Sequence, residues 1–351
     1  MPNATINDVA ELAGVSIKTV SRVVNAEPNV RESTRNIVNS AIAKLNYRPN
    51  QSARNLASLQ SHLIALIYED PTLYEIAGSG FAVRMQQGTL RACRSADYEL
   101  LIHPCSYRNK SVCNELKALI EQVRPAGIVL AAPLSNMSRI VRAIEATRTP
   151  FVRLSPGTAN EKHFSVATND REICAEMTRY LASLGHKRIA FIKGHPDHKA
   201  VGNRYLGYQD GLRESGLAFS ECLVAEGDNS CGSGEARAIQ LLGLEHPPSA
   251  IFAANDDMAA GVIRAASSLG IKVPSQLSVS GFDDMSLAQQ IYPTLTTIRQ
   301  PLAAMAESAA LAMINRSRNG SPLRGSVTLP AKIRLRESTG RAPNQDVLAT
   351  S

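Results

Sequence analysis

The sequence lacks several patterns that mark common classes of protein. Its six cysteines are scattered, without a C-x-x-C pair or the spacing of a zinc site. We therefore expect reduced and mostly buried thiols. No segment is long and apolar enough to span a bilayer, and the N-terminus lacks the basic-then-apolar pattern of a secretory signal. These absences favour a cytoplasmic protein.

Motifs of common enzyme sites are also missing. The chain has no G-x-S-x-G, no G-x-x-x-x-G-K-[ST], and no G-x-G-x-x-G after a predicted strand. His195 and His198 lie together in the loop "GHPDHKA", but no cysteine or carboxylate cluster there completes a metal site. The sequence therefore predicts no cofactor and no metal, and an enzyme is the less favoured alternative.

Length and charge allow a large protein with a polyanionic partner. A single hydrophobic core stops growing at roughly 250–300 residues, so a chain of 351 residues is expected to form two or more packed units. The formal charge is +7, and residues 1–60 hold seven basic side chains against four acidic ones. Basic excess in the first 60 residues permits a nucleic-acid partner without requiring one.

The first 45 residues predict three short helices. Apolar residues recur there at helical spacing, in three sets: Ile6, Val9, Ala10 and Ala13; Val20, Val23 and Val24; Ile37, Val38, Ala41, Ile42 and Leu45. Gly14 suits the left-handed end of the first helix, and Ser16 is a suitable cap for the second. This order of helix, tight turn and helix indicates a helix-turn-helix.

The second helix carries the chemistry of a DNA-reading element. In a helix-turn-helix, residues near the N-terminus of the second helix reach base edges in the major groove. Ser16 and Thr19 can donate to phosphate, and Ile17 and Lys18 project at the tip. Arg22, about one turn later, has the fork that matches guanine O6 and N7. The alternative is a surface helix with incidental positive charges.

From about Ser61 the pattern changes to short apolar strands that alternate with amphipathic helices. The candidate strands are 63–68, 98–103, 126–132, 151–154, 188–193, 249–254 and 277–282. Such alternation predicts an α/β fold with parallel sheets. The strands form two groups that meet near residue 165, which predicts two doubly wound lobes with a ligand cleft between them.

The N-terminal segment "TINDVAELAGVSIKTVSRVVNAEPNVRESTRNIVNSAIAKLNYRPNQSARNLA" resembles regulators of the lactose-repressor/galactose-repressor (LacI/GalR) family. The resemblance continues through "LGHKRIAFIKG", "RYLGYQDGL", "PSAIFAANDDMAAGVIRAASSLGIKVPSQLSVSGFDD", "PTLTTIRQP" and "IRLREST". It implies a homodimeric repressor of operator DNA, released by a mono- or disaccharide that binds a core similar to periplasmic sugar-binding proteins. A periplasmic transport receptor would explain residues 61–340 equally well, but not the DNA-binding head.

The resemblance also implies a division of the chain. It comprises a helix-turn-helix domain (1–46), a hinge (47–60), an effector-binding core (61–340) and a tail (341–351). Lobe one would take residues 61–165 and 297–325, and lobe two residues 166–292 and 326–340. The tail lacks a leucine heptad that could join two dimers, so we expect a dimer and no tetramer.

Matching to the family implies which residues contact DNA. Residues 52–57 would become a helix only on operator DNA, where Leu56 would wedge into a minor-groove step. A plain tether is the alternative for this polar stretch. The full predicted set is Thr5, Ser16, Ile17, Lys18, Thr19, Ser21, Arg22, Asn25, Asn50, Ala53 and Leu56.

The same matching implies an effector site in the cleft. The predicted residues are Asp70, Tyr74, Arg204, Asn255, Asp256, Asp283 and Gln300. Arginine and carboxylate side chains can each make paired hydrogen bonds to vicinal hydroxyls. For Asp256 and Asp283 the alternative is helix capping or hydrogen bonding within a lobe. The chain departs from the family at two positions, with Asn229 where an aromatic residue often stacks on the ligand and Ser155 where some members have a carboxylate.

Overall fold

The chain divides into two compact units, Met1–Ser61 and His62–Ser351. The structure, a computed structural model, describes residues 4–24, 29–47, 61–69, 80–158, 162–320 and 322–343. The division of the first unit into a DNA-binding domain and a hinge stays a prediction, because residues 48–60 lie outside the described ranges.

The first unit contains the three predicted helices. They are α1 (Ile6–Ala13), α2 (Ile17–Val24) and α3 (Glu32–Leu45). Val9, Val20 and Val38 contribute one fully buried side chain from each helix, and they form a small apolar core. Gly14 ends α1 with φ 66°, a left-handed conformation that glycine adopts without a steric penalty. These observations confirm the predicted helix, turn and helix.

The second unit begins with a six-stranded parallel sheet. Its strands along the chain are β1 (Leu63–Glu69), β2 (Glu99–Cys105), β3 (Gly127–Ala131), β4 (Phe151–Leu154), β5 (Ser165–Thr168) and, much later, β11 (Ser326–Leu329). The order in the sheet is β2-β1-β3-β4-β5-β11. Alternate side chains of β1 enter two different cores, Ile64 and Leu66 on one face and Ala65 and Ile67 on the other.

Helices cover both faces of this first sheet. They are α4 (Gly80–Ser95), α5 (Val112–Val123), α6 (Ser138–Ala146) and α12 (Leu302–Asn319). A Cβ at Gly88 of α4 would lie 1.9 Å from the carbonyl oxygen of Ala303, so only glycine allows α4 and α12 to approach this closely. The helices α5 and α6 bury Leu116 and Ile140 on the opposite face.

The second sheet has the same winding. Its strands are β6 (Ile189–Lys193), β7 (Val224–Glu226), β8 (Ala250–Ala253), β9 (Ser278–Asp283), β10 (Thr296–Arg299) and β12 (Lys332–Arg334). The helices of this lobe are α7 (Asp170–Ser183), α8 (Ala200–Glu214), α9 (Cys231–Leu242), α10 (Asp256–Ser268) and the short α11 (Leu287–Gln290). The order is β7-β6-β8-β9-β10-β12, and β12 alone among these strands runs antiparallel to its neighbour. The predicted α/β architecture of two doubly wound lobes is confirmed.

The chain passes between the two lobes at three crossings, and at each of them the predicted lobe boundary differs from the structure. Residues 165–168 (β5) and 326–329 (β11) pair with each other in the first sheet, and residues 296–299 (β10) pair with β9 in the second. Each crossing therefore comes a few residues later than expected. The strands β5 and β11 hold no charged residue, and β10 holds only Arg299 at its end, so composition alone does not assign the three strands to a lobe.

Both sheets reverse their strand order at one position, between β1 and β3 and between β6 and β8. In open α/β sheets, ligands bind in the crevice beyond the carboxyl ends of the strands at such a switch point. The fold therefore provides two half-sites for one ligand. No helix among the described residues has the length and apolar character needed to cross a membrane.

Candidate functional site

The tip of α2 is built as predicted. The Ser16 hydroxyl accepts a hydrogen bond from the Thr19 N–H at 3.2 Å and thereby caps the helix. Ile17 is 51% exposed, although isoleucine is usually buried. Lys18 and Arg22, four positions apart, are both exposed and share one helix face. Ile17 and Lys18 thus project from the first turn of α2, and Arg22 projects from its last turn.

The other residues predicted to contact DNA lie elsewhere than at the exposed N-terminal turn of α2. Thr5 forms a capping box with Asp8, whose carboxylate accepts from the Thr5 N–H at 2.6 Å. The Thr5 hydroxyl is therefore already used at the start of α1. Ser21 is partly buried on α2. Four further predicted residues lie outside the described residues: Asn25, Asn50, Ala53 and Leu56.

A cavity of about 190 Å³ lies in the second unit, where the carboxyl ends of the two sheets face each other. Its walls carry four of the predicted effector residues, Arg204, Asn255, Asp283 and Gln300, and both positions that depart from the family pattern, Ser155 and Asn229. The structure therefore brings together predicted residues from both lobes and from a crossing between them. We call this space the interlobe cavity.

Arg204 is the most heavily engaged predicted residue of the interlobe cavity. Its Nε lies 3.0 Å from Asp170 Oδ1, and its Nη1 donates to the Ala254 carbonyl at 2.6 Å. The guanidinium carbon lies 3.7 Å from the centre of the Phe282 ring. Burial by itself would lower the pKa of Arg204, but the carboxylates of Asp170 and Asp283 raise it above its usual value. Arg204 is thus a fixed cation in the wall.

Asn255, Asp283 and Gln300 are also held in place by the protein. The Asn255 Oδ1 accepts from the Met258 N–H at 2.9 Å and caps α10, while its Nδ2 donates to the Asn229 carbonyl at 2.9 Å. Gln300, which is 2% exposed, donates its Nε2 to Asp283 Oδ1. These bonds orient three polar side chains at the cavity wall.

Asp256 does not lie at the cavity wall, where the prediction placed it. It is 1% exposed and is not among the residues that line the cavity. Its carboxylate accepts from the Met285 N–H at 2.8 Å and from the Thr297 hydroxyl, both within its own lobe. The next residue, Asp257, lines the cavity instead. Because successive helical positions point about 100° apart, one step along α10 moves a carboxylate from the core to the wall.

Asp70 and Tyr74 were predicted to approach the ligand from lobe one, and both lie outside the described residues. From this side the structure contributes residues that the sequence analysis missed. They include Tyr68, Glu69, Phe81, Met85, Tyr107 and Arg108. Glu69 ends β1 and Tyr107 closely follows β2. The carboxyl end of each predicted strand was therefore the signal that could have identified them.

Lobe two adds His195, His198 and Asp228, which follow β6 and β7. Burial, together with the nearby positive charges of Arg204 and His195, lowers the pKa of His198 to about 4. His198 is therefore neutral at pH 7 and can both donate and accept a hydrogen bond. No three His, Cys, Asp or Glu side chains within the described ranges are grouped to hold a metal ion.

Three carboxyl groups that line the cavity, those of Glu69, Asp257 and Asp283, have raised pKa values. Burial raises the pKa of Glu69 to about 7. The nearby positive charge of Arg108 opposes this rise, and the negative charge of Asp197 adds to it. Burial likewise raises the pKa of Asp283 to about 6, although Arg204 opposes it. In each case burial disfavours the anion, and a ligand that supplied hydrogen-bond donors would stabilise it.

The two positions that depart from the family pattern both lie on the wall. Asn229, with φ 76°, accepts from the His195 N–H at 3.3 Å through its Oδ1 and so ties two loops together. The Ser155 hydroxyl is buried and has no hydrogen-bond partner among the described residues. Small polar groups therefore occupy the places where larger ligand-contacting side chains were expected.

The two lobes also contact each other beside the cavity. The Tyr107 hydroxyl of lobe one donates to the Asp197 carboxylate of lobe two at 2.6 Å. The Asn136 amide donates to the Asp197 carbonyl at 3.2 Å, and Arg108 Nη2 lies 3.3 Å from His195 Nε2. We call these contacts the interlobe clasp, and they enclose the cavity on one side.

Comparison with known families and proteins divides the chain in the same way. The family described as bacterial regulatory proteins, lacI family, matches residues 5–50, and the periplasmic binding protein-like domain matches residues 178–339. The transcriptional regulator GalR of Escherichia coli K12 is 32% identical over 310 residues, 88% of this chain and 87% of that protein. Catabolite control protein A of Priestia megaterium is 30% identical over 341 residues, 96% of this chain and 99% of that protein.

Solved structures agree with these relatives. A Lac repressor dimer bound to operator and the anti-inducer ONPF superposes with a TM-score of 0.79, at 27% identity, over 97% of this chain and 100% of that one. A complex of the transcriptional regulator CelR with cellobiose gives a TM-score of 0.74, at 27% identity, over 95% of this chain and 99% of that one.

Proposed function

Since this chain belongs to the lacI family of bacterial regulatory proteins, we propose that it represses transcription at an operator and is released by a small sugar-like effector. It is a DNA-binding transcriptional regulator and not an enzyme. The observation that carries the proposal is that the chain has both an exposed reading tip on α2 and, in the second unit, a cavity whose wall carries polar side chains of both lobes.

The exposed tip of α2 suits the major groove. Ile17 offers an apolar contact for a thymine methyl group, and Lys18 and Arg22 offer donors for guanine. Ser16 and Thr19, whose hydroxyls lie 2.9 Å apart, sit at the helix N-terminus where backbone N–H groups favour phosphate. We assign base reading to the first three residues and phosphate contact to the last two.

A dimer is required by the size of the reading element. One helix contacts too few base pairs to specify a site, whereas two helices related by a two-fold axis read a pseudo-palindrome. We propose a homodimer whose two cores form the interface, a cytoplasmic location, and a hinge helix within residues 52–57 that inserts Leu56 into the minor groove. The structural neighbour that is a Lac repressor dimer on its operator supports the dimer.

The two lobes explain how a ligand could change DNA affinity. The interlobe clasp and the cavity share residues, since Tyr107, Arg108 and His195 take part in the clasp and also line the cavity. A ligand in the cavity therefore changes which relative positions of the lobes are stable. If operator and effector prefer different positions, each must weaken the binding of the other by the same factor, typically about 5–150-fold.

The test is selection of duplexes from a random library by the full-length protein, followed by titration of sugars against the selected site. A two-fold symmetric site and sugar-induced release are expected. A site without symmetry would contradict the dimer, and a sugar that tightens DNA binding would identify a corepressor rather than an inducer.

A further inference from the structure

The two lobes contact each other at two different places along their sheets. The interlobe clasp uses residues that follow β2 and β3 in lobe one and β6 in lobe two. The chain crosses between the lobes elsewhere, after β5, β10 and β11. Adjacent strands lie about 4.8 Å apart, so β6 and β10, three positions apart in their sheet, are separated by roughly 14 Å. We call these two sides the clasp edge and the crossing edge.

At the crossing edge, the turn that follows β9 enters lobe one. We call residues 283–285 the corner. Met285 is 6% exposed and, among the described residues, is the one side chain of lobe two in a buried apolar cluster otherwise formed by lobe one. A Cβ at Gly80 would lie 3.1 Å from the Met285 Sδ, which places this side chain against the start of α4. Arg84, one turn into α4, donates its Nη2 to the Asp284 carbonyl at 2.9 Å.

The backbone of the corner is strained and is held by lobe two. Asp283 and Asp284 have φ angles of 116° and 54°, a region that residues other than glycine seldom adopt and keep only where the surrounding structure fixes them. The Asp284 carboxylate is fully buried and accepts from Arg299 and Arg336. Asp283 accepts from Gln300, and the next N–H after Asp284 donates to a carboxylate of α10 at 2.8 Å. These bonds hold the corner in the conformation that directs its last side chain into lobe one.

The contacts at the clasp edge are polar instead. The Asp197 side chain, which accepts from Tyr107, is 38% exposed. Beside it, Asn203 Nδ2 donates to the Gly157 carbonyl at 2.6 Å. Water can replace either partner of such a hydrogen bond when the two separate, whereas withdrawal of Met285 from its cluster would expose apolar surface. The clasp edge should therefore part more readily than the crossing edge.

We propose that Met285 and Arg84 form a pivot between the lobes, which stays in contact while the interlobe clasp opens and lobe one turns about it. Asp284 then acts as a positioning residue, because its two ion pairs hold the strained corner in lobe two. The proposed function requires only that the relative position of the lobes can change. The pivot specifies which contact parts and which persists, and it depends on neither the operator nor the effector.

Reporter thiols of similar burial can follow the two edges separately. Met285→Cys places a thiol in the pivot and Asn136→Cys places one in the clasp, and the replaced residues are 6% and 8% exposed. Each full-length chain is treated with N-ethylmaleimide, and mass spectrometry follows every cysteine-containing peptide by itself. Two native cysteines are internal controls, since Cys222 is exposed and reports the activity of the reagent, and Cys174 is fully buried and reports global unfolding.

The clasp is then weakened by Tyr107→Phe, which removes the hydroxyl that donates to Asp197. Loss of a hydrogen bond to a carboxylate should raise the population of the open clasp, and with it the labelling rate at position 136, about tenfold. The labelling rate at position 285 should stay within about twofold of its value in the chain that keeps Tyr107, because the pivot does not part when the clasp opens.

A matched pair of core substitutions tests the pivot directly. Met285→Ala and Met313→Ala remove the same atoms from the same cluster, but Met313 belongs to α12 and packs on Gly127 of β3, both within lobe one. Met285→Ala should raise the labelling rate at position 136 about tenfold, and Met313→Ala should leave it within about twofold. The thermal unfolding temperature reports whether each variant folds, and Asn203→Cys, beside the clasp, replaces Asn136→Cys as the reporter if that chain does not fold.

Three results would overturn the inference. Equal acceleration at positions 136 and 285 in Tyr107→Phe would show that both edges part together. An unchanged rate at position 136 would show that the clasp does not control the opening of the lobes. Equal effects of Met285→Ala and Met313→Ala would show that Met285 acts only as a core residue, and this comparison holds even if Met285→Cys does not fold. Because no measurement uses DNA or a sugar, each of these results leaves the proposed function standing.

Discussion

Replacement of Arg204 by alanine tests the buried ion pair that Arg204, in the wall of the interlobe cavity, forms with Asp170. The Arg204 and Asp170 side chains are 10% and 7% exposed, and their Nε and Oδ1 atoms lie 3.0 Å apart. The variant therefore leaves the Asp170 carboxylate buried without its cation. It also removes the donor to the Ala254 carbonyl and the guanidinium that packs over the Phe282 ring.

The size of the effect follows from the lost partner. Breaking a buried pair by removing one member costs about 3–5 kcal/mol of unfolding free energy, because the remaining charge is left unsolvated. We expect about 4 kcal/mol for Arg204→Ala. Asp170→Asn in the same chain removes the stranded charge, so the double variant should be more stable than the sum of the single effects predicts, by about 2 kcal/mol.

Urea unfolding followed by tyrosine fluorescence measures these changes in the second unit. The chain has no tryptophan, and Tyr47 is the one tyrosine before residue 62. Arg179→Ala is the matched control, since Arg179 pairs with Glu214 on the surface at 44% exposure and should change stability by less than about 1 kcal/mol. Additivity of the two changes within about 0.5 kcal/mol would refute the reasoning, because it would show that Arg204 and Asp170 do not depend on each other.

Three further predictions concern DNA binding, assembly and pH. Lys18→Ala and Arg22→Ala should each cost about 1–3 kcal/mol of DNA-binding free energy and relax the preference for the operator sequence in a selection experiment. Arg35→Ala should weaken binding to all sequences alike. Equal sequence preference in all three variants would contradict our assignment of base reading. Light scattering at micromolar concentration should give the mass of a dimer, and the mass of a tetramer would contradict the assembly that we propose. The affinity for DNA should fall steeply as the salt concentration rises, and binding that does not depend on salt would contradict the proposed phosphate contacts. Effector affinity should rise between pH 6 and pH 8, because donors of a ligand in the cavity favour the anions of Glu69 and Asp283, whose pKa values are raised to about 7 and about 6. Glu69→Gln should reduce this dependence to the part that Asp283 contributes near pH 6, and calorimetry in buffers of different ionisation enthalpy would detect the missing proton.

Local pattern predicted most of the architecture. The three helices of the first unit, the left-handed Gly14 and the cap by Ser16 all follow from interactions between residues close in the chain. The strands of the core were recognisable because parallel strands buried on both faces read as short apolar runs. The lobe boundaries were misplaced because strand pairing joins residues far apart in sequence, such as β5 with β11.

The residues of the interlobe cavity were also predicted only in part from the sequence. The sequence by itself determined the family, the two-lobed core and several polar residues at strand ends, since these depend on spacing and on residue type. Only the tertiary structure decided that Asp257 and not Asp256 lines the interlobe cavity, that Glu69 lines it from lobe one, and that Arg204 is already paired. Adjacent carboxylates look equivalent along the chain, and their exposure and pKa depend on which atoms of the other lobe come to lie beside them.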